Sequence, residues 1–381
     1  MDTPKPLIVG QHYPAIDGMR GMAVLLVIWF HASYFVTIGM EEPLVGFTYG
    51  YYLLTILGET GVDLFFVLSG FLITGILIDT ANDTHTLKNF YIRRSLRIFP
   101  LYYAVLFIFV VYFLFIFGIN GLDHGKILAH FLYLQNWTLG HNEDQFLLLD
   151  HTWSLAVEEQ FYLFWPLLFL SFYKGPVRGV FILCASMILF SWGLRLFFTD
   201  LDQYKWAYTF TISRLDGLAL GALLSVLCVR YKDKCLQYRR VLPYVMLITL
   251  SAILITLFIQ ETKMDSHHAM IRYGLTFFSV LYVSLLAYVF LSNENNTLKR
   301  FFCLKPLREI GRVSYGVYIF HSPVMMIAVR QLYQYELGYW YTHLILLLAG
   351  GIVSFLLASL SYHFFEKRML RLKDKYAPLK Q

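Results

Sequence analysis

The sequence predicts an all-α polytopic membrane helix bundle of about ten transmembrane helices, with both termini cytoplasmic. Three observations lead there. Of 381 residues, 58% are hydrophobic and only 15% charged, whereas a soluble domain carries about 25% charged residues. Apolar stretches long enough to cross ~30 Å of hydrocarbon recur along the whole chain. The basic residues, finally, are distributed by side: with ten spans and an inside N-terminus, 24 of the 31 fall in inside segments. Outside loops then hold only Lys126, Lys205 and Lys263. That asymmetry is the positive-inside signature, and it accounts for most of the formal charge of +6 without a nucleic-acid partner.

The expected spans lie at 18–38, 60–78, 99–118, 154–173, 177–197, 208–229, 242–260, 271–291, 313–333 and 342–364. The opening stretch MDTPKPLIVGQHYP does not read as a cleavable signal peptide, because the apolar run starts after Met19 and no small-residue cleavage site follows. The first span is therefore expected to be permanent. A short apolar piece, GFTYGYYLL at 46–54, reads as interfacial. Residues 1–381 are expected to form one membrane-embedded domain with no appended soluble domain. Cys184, Cys228, Cys235 and Cys303 show no CxxC or paired spacing, and the histidines lack ligand spacing. Neither a disulfide framework nor a metal site is expected.

Five stretches carry candidate chemistry. In RGMAVLLVIWFH, Arg20 and His31 fall within roughly 20° on one helix face and ~16 Å apart along the axis. With Arg20 at the membrane surface, His31 lies near mid-bilayer, where an ionisable group is costly and a functional site is the default reading. A neutral imidazole there can serve as a general base; the plain alternatives are an anchoring arginine and a histidine bonded to a neighbouring helix. In FYIRRSLRIFPLYY, Arg94 and Arg97 share a face if helical, with Arg93 beside them. Pro100 fits the first turn of the next helix, whose N-terminus favours anions, and arginine forks match phosphate oxygens. The alternative is a basic loop against anionic lipid.

In HTWSLAVEEQFYLFWP, Ser154 and Glu158 are four apart on one face, near Trp153 and Tyr162, while Glu159 falls on another face and reads as solvated. The aromatics also suit an interfacial belt, but a carboxylate entering a span needs a partner or a role. In GETGVDLFFVLSGFL, Gly61, Ser69 and Gly70 make a small-residue surface for close helix approach, and Asp63 stands near its outer end. Arg214 and Asp216 of RLDGLALGALL are spaced to pair inside the sixth span, and His321 of GRVSYGVYIFHSP lies at mid-depth in the ninth.

Arg20-x10-His31, DLFFVLSGFL, RRSLRIFP, TWSLAVEEQFY, RLDGLALGALL and SYGVYIFH occur in this order along nearly the whole chain. Together they resemble the acyltransferase family 3 membrane proteins, bacterial enzymes that O-acylate extracytoplasmic glycans, with relatives that acylate macrolides. The resemblance implies transfer of an acyl group, usually acetyl, from cytoplasmic acetyl-CoA across the inner membrane to an acceptor hydroxyl. It implies Arg93, Arg94 and Arg97 as ligands of the coenzyme A phosphates, His31 as base, and Arg20 holding the donor or steadying the site. Glu158, Trp153 and Tyr162 would line an outer entrance with Ser154, Asp63 and His321 and orient a glycan or lipid-linked saccharide; Ser69 is the candidate oxyanion donor. The chain departs from the pattern at FFEKRML, where Arg368 stands in place of a proline. A proton-coupled transporter of a glycan or lipid precursor and a small-molecule O-acyltransferase are the rival readings.

Overall fold

The computed structural model describes residues 7–38, 40, 43–118, 123–138, 148–262 and 269–378; Lys5, Lys263 and Lys380 lie outside these. All regular secondary structure among the described residues is helical, without strands. In chain order they form α1 (Pro14–Ile38), α2 (Gly46–Ile56), α3 (Gly61–Asp79), α4 (Thr86–Phe117), α5 (His124–Phe131), α6 (Gln135–Thr138) and α7 (Trp153–Tyr173). There follow α8 (Val177–Asp200), α9 (Tyr204–Thr209), α10 (Leu215–Arg230), α11 (Lys232–Tyr238), α12 (Leu242–Thr262) and α13 (Leu275–Leu291). The chain continues through α14 (Thr297–Phe302), α15 (Lys305–Arg312), α16 (Ser314–Leu332), α17 (Gly338–Ile345), α18 (Gly351–Ser361) and α19 (Lys367–Tyr376).

Among the described residues, eight helical stretches are long and apolar enough to cross a membrane. The two further spans expected at 154–173 and 313–333 are present as α7 and α16, with 21 and 19 residues, but they fall outside that set of eight. Their composition explains it: α7 carries Glu158 and Glu159, and α16 carries Ser314, His321 and Ser322 on inward faces. The helices richest in outward apolar groups are at the rim, with Phe107, Ile108 and Phe115 on α4 and Tyr244, Leu247 and Phe258 on α12 all exposed.

Two expectations are corrected. The stretch 46–54 is not a separate interfacial piece: α2 runs through a 3₁₀ turn at Leu57–Thr60 into α3, making 34 continuous residues. Nor does Pro100 open a helix. It lies inside the 32-residue α4, which at ~1.5 Å per residue is about 48 Å long and outreaches the hydrocarbon core. Arg93, Arg94 and Arg97 are therefore carried on a helix, and no helix N-terminus adds to their pull on anions.

The core is organised by backbone contact. α3 packs most extensively on α10 and α1 on α15. At the first crossing Gly70 lies against the carbonyl of Leu218 and Gly221 against that of Val67; at the second, Gly21 meets the Leu307 carbonyl and Gly311 that of Asp17. These are small-residue crossings in which dispersion and close packing replace the hydrophobic effect inside a membrane. Gly70→Ala would drive a methyl into the Leu218 carbonyl, and we expect a loss of at least about 1–3 kcal/mol, the usual range for overpacking. Thermal unfolding in detergent checks it, with Gly50→Ala, where the added methyl meets open space, as the variant expected to stay at or above the parent's stability.

Candidate active site

The two residues of RGMAVLLVIWFH reach different places along α1, as their helical spacing requires. Arg20 is bonded to Asp17 (3.5 Å), which also accepts from His12 Nε2 at 2.8 Å. It opens on a cavity of about 510 Å³ bounded by the segment 8–17, by Arg93, Arg94 and Arg97 of α4, by Arg312 and Tyr315, and by Glu366 and Lys373. The N-terminal wall is fixed by Asp79, whose carboxylate accepts from the amides of Leu7, Ile8 and Val9 at 2.6–2.8 Å. The three arginines of RRSLR differ. Arg93 is engaged by the C-terminal helix, donating to the Ala377 carbonyl (2.9 Å) and pairing with Asp374 (3.3 Å). Arg94 lies over the rings of Tyr162 and Phe90, at 5.5 and 5.9 Å, and Arg97 is exposed to the cavity.

A second, smaller cavity of about 90 Å³ shares Arg20, Arg94, Arg97 and Tyr315 with the first and extends inward to Ser69, Ser154, Glu158, Tyr162 and Tyr318. One hydrogen-bonded chain forms its wall: the Tyr162 hydroxyl donates to Ser69 Oγ at 2.7 Å, and Ser69 donates to Glu158 Oε1. Glu158 stands within electrostatic reach of Arg94 and Arg20. This corrects the expectation that Glu158 and Tyr162 line an outer entrance, since the structure gathers them with the arginines. It also corrects Glu159, which is half-buried with Oε1 shielded from solvent.

At its inner end the cavity closes on Tyr318, whose hydroxyl donates to the His151 carbonyl (2.8 Å) and accepts from Ser154 Oγ (2.6 Å). Behind this wall stand three imidazoles. The ring of His321 is 5.0 Å from that of His151 and 4.9 Å from that of His31. His31 itself is half-buried, flanked by Phe30 and Phe35. Despite this gathering, the described residues contain no group of His, Cys, Asp and Glu arranged to hold a metal ion. His151 is not among the residues the sequence singles out; its signal there is a histidine three residues ahead of Ser154 at a helix entry.

Asp63 and Trp153 go elsewhere. Arg214 pairs with Asp63 at 2.7 Å and not with Asp216, which instead binds Arg195 at 2.8 Å. Trp153, Tyr208 and Phe66 surround the Arg214 guanidinium at 4.7–5.5 Å. The expected Arg214–Asp216 pair fails because Arg214 ends a 3₁₀ turn while Asp216 lies in the first turn of α10, so the two side chains leave on different faces. Neither Asp63 nor Trp153 lines either cavity.

A helical bundle of apolar spans, with an arginine-lined cavity on one side of a cluster of three histidines, defines a multi-pass membrane protein. Residues 13–363 match the acyltransferase-domain family, and the chain belongs to it. It is 33% identical to the peptidoglycan O-acetyltransferase OatA of Listeria monocytogenes over 379 residues, covering 93% of this chain and 55% of that protein. It is 29% identical to the putative peptidoglycan O-acetyltransferase YrhL of Bacillus subtilis over 94% of this chain and 55% of that one. With the O-acetyltransferase OatA of Staphylococcus aureus the figures are 30%, 93% and 57%. The chain thus spans about half the length of the curated relatives it matches. No solved structure matches it.

The two kinds of polar cluster are expected to respond differently to mutation. Asp63→Ala leaves Arg214 buried without its carboxylate, a change that costs about 3–5 kcal/mol when one member of a buried pair is removed. Ser69→Ala, at a cavity wall, is expected to cost about 1.5–3 kcal/mol, the worth of a hydrogen bond to a charged group, because its hydroxyl donates to the Glu158 carboxylate. Detergent melting curves of the two variants would separate scaffold from site.

Proposed function

We propose that this protein transfers an acetyl group from acetyl-CoA, held at the arginine end, to a hydroxyl of an extracytoplasmic glycan approached at the His31 end. Both termini then face the cytoplasm of a bacterial inner membrane. One observation carries the reading: Arg20, Arg94 and Arg97, from two helices, converge where two cavities join, and the inner one ends at Tyr318, whose ring lies 5.4 Å from that of His321, the neighbour of His31. Convergent guanidiniums suit phosphate and diphosphate groups, and a highly anionic donor cannot cross hydrocarbon cheaply. The relatives' names favour peptidoglycan as acceptor over O-antigen or exopolysaccharide. Exposed apolar faces on the rim helices suit surrounding lipid and a lipid-linked saccharide equally.

The proposed chemistry gives each residue one task. His31 accepts the proton of the acceptor hydroxyl as its oxygen attacks the thioester carbonyl carbon. The tetrahedral adduct collapses, the carbon–sulfur bond breaks, and the leaving thiolate takes up the proton. Arg94 and Arg97 bind the donor; Arg93, held by Asp374 and Ala377, braces the cavity rim and contributes charge. Glu158, through Ser69 and Tyr162, orients the arginine side of the channel.

Release of free thiol from acetyl-CoA by the purified protein, with N-acetylglucosamine oligomers as acceptors, tests this. A general base contributes typically ~10²–10⁴-fold, so His31→Ala should lose that much turnover while still binding donor. Arg94→Ala/Arg97→Ala should weaken acetyl-CoA binding by roughly 100-fold or more, at about 1.5–3 kcal/mol per charge-assisted hydrogen bond. Folded protein that neither binds nor turns over acyl-CoAs, yet takes up a saccharide in exchange for protons, would overturn the reading in favour of a transporter.

A further inference from the structure

The histidine behind the cavity wall has a more specific role than lining a substrate path. His321 is fully buried. Its Nδ1 lies 2.6 Å from the carbonyl oxygen of Tyr318, and its Nε2 lies 3.3 Å from Nδ1 of His31. Nδ1 of His31 also lies 3.0 Å from the carbonyl oxygen of Val27. A carbonyl only accepts, so both Nδ1 atoms carry hydrogen. Two neutral rings then have one consistent arrangement. His321 donates through Nδ1 to Tyr318 and presents a bare Nε2; His31 shares its Nδ1–H between Val27 and that Nε2. The lone pair of His31 is left on its own Nε2, the nitrogen not engaged by the protein.

We infer that His321 is the positioning residue of His31, aiming its Nε2 and sharing the charge that forms when that nitrogen is protonated. The inference rests on the proposed function in taking His31 as the base. A bare imidazole nitrogen facing the N–H of a second imidazole strengthens its basicity and fixes its ring plane, as carboxylates and carbonyls do for other histidines. Nothing else on α16 can do this. Tyr318 is turned to His151 and Ser154, and Ser322 is one residue, about 100° of helix, away. His321 lines neither cavity, and among the described residues its one ring-nitrogen contact to another side chain is to His31.

The test uses the full chain in detergent with acetyl-CoA and N-acetylglucosamine oligomers, and the variants His321→Leu, His321→Gln and His31→Gln. In His321→Leu, kcat is expected to fall 10- to 100-fold with the KM for acetyl-CoA within twofold. In His321→Gln, whose amide oxygen still accepts from His31 Nδ1–H, kcat should return to within about fivefold of the parent. Nitrogen-15 spectra of histidine-labelled parent protein, assigned by difference with His31→Gln, should show His31 protonated on Nδ1 and bare on Nε2. The inference is overturned if His31 carries its proton on Nε2, if folded His321→Leu keeps the parental kcat, or if KM rises with the loss. Should His321→Leu fail to fold, His321→Gln decides, and a folded glutamine variant as slow as His31→Gln overturns it. If His31→Gln itself turns over at the parental rate, the base assignment fails first and this inference falls with it.

Discussion

The position of α1 is the constraint on which the rest depends. That helix carries both Arg20 and His31, and it is clamped along its length by contacts that admit no side chain. Gly21 and Gly311 bring the backbones of α1 and α15 together, Gly61 rests against the Ala23 carbonyl, and Gly70 with Gly221 locks α3 onto α10. In a membrane, where apolar groups gain little by leaving lipid, such backbone approach is what holds helices in register. A shift of α1 by one residue would turn His31 through about 100°, away from His321. The glycines therefore set where Arg20 and His31 stand relative to the neighbouring helices.

Buried charge is used in two opposite ways. Asp63–Arg214 and Asp216–Arg195 join α3, α8 and α10 into a scaffold, each guanidinium closed off by a carboxylate, with aromatic faces around Arg214 and the hydroxyls of Ser191 and Thr276 beside Arg195. Such pairs add little net stability, but neither member can be lost cheaply. Around the cavities the arithmetic differs: Arg20, Arg93, Arg94, Arg97, Arg312 and Lys373 outnumber the carboxylates that line the same space, Asp17, Asp83, Glu158 and Glu366. Positive charge concentrated in a low-dielectric recess attracts anions strongly. Both kinds of arginine look alike in a sequence, and only their partners tell them apart.

That is also why the fold was more legible than the site. Helices α1, α3, α8, α10, α12 and α13 were visible as apolar runs, because lipid demands length and apolarity of every span. The Arg20–His31 relation was legible because both lie on one helix, where spacing fixes direction. Relations between helices were not. Arg214 and Asp216 are neighbours in sequence but take partners on α3 and α8, and Glu158 looked outward by depth alone until α4 placed two arginines opposite it. Pro100 gave a misleading helix start, since proline is tolerated inside long membrane helices when neighbours supply the missing contacts.

The wall between cavity and histidines has a cost that can be weighed. Arg20 and His31 are ~16 Å apart along α1, so under the proposed function a donor anchored by its phosphates at the arginines has to present its acyl carbon well inside the bundle, past Tyr318 and Ser154. What closes the way is a hydroxyl pair, Ser154 Oγ to Tyr318 Oη at 2.6 Å, and a bond from Tyr318 to the His151 carbonyl at 2.8 Å. Each is worth about 0.5–1.5 kcal/mol net. Parting them is therefore a small step beside the barrier to acyl transfer, and the incoming thioester brings a carbonyl oxygen that can accept from the freed hydroxyls. A partition this weak cannot serve as a lock. In the proposed transfer it would act instead as a partition between the arginine side and the histidine side that the donor itself opens.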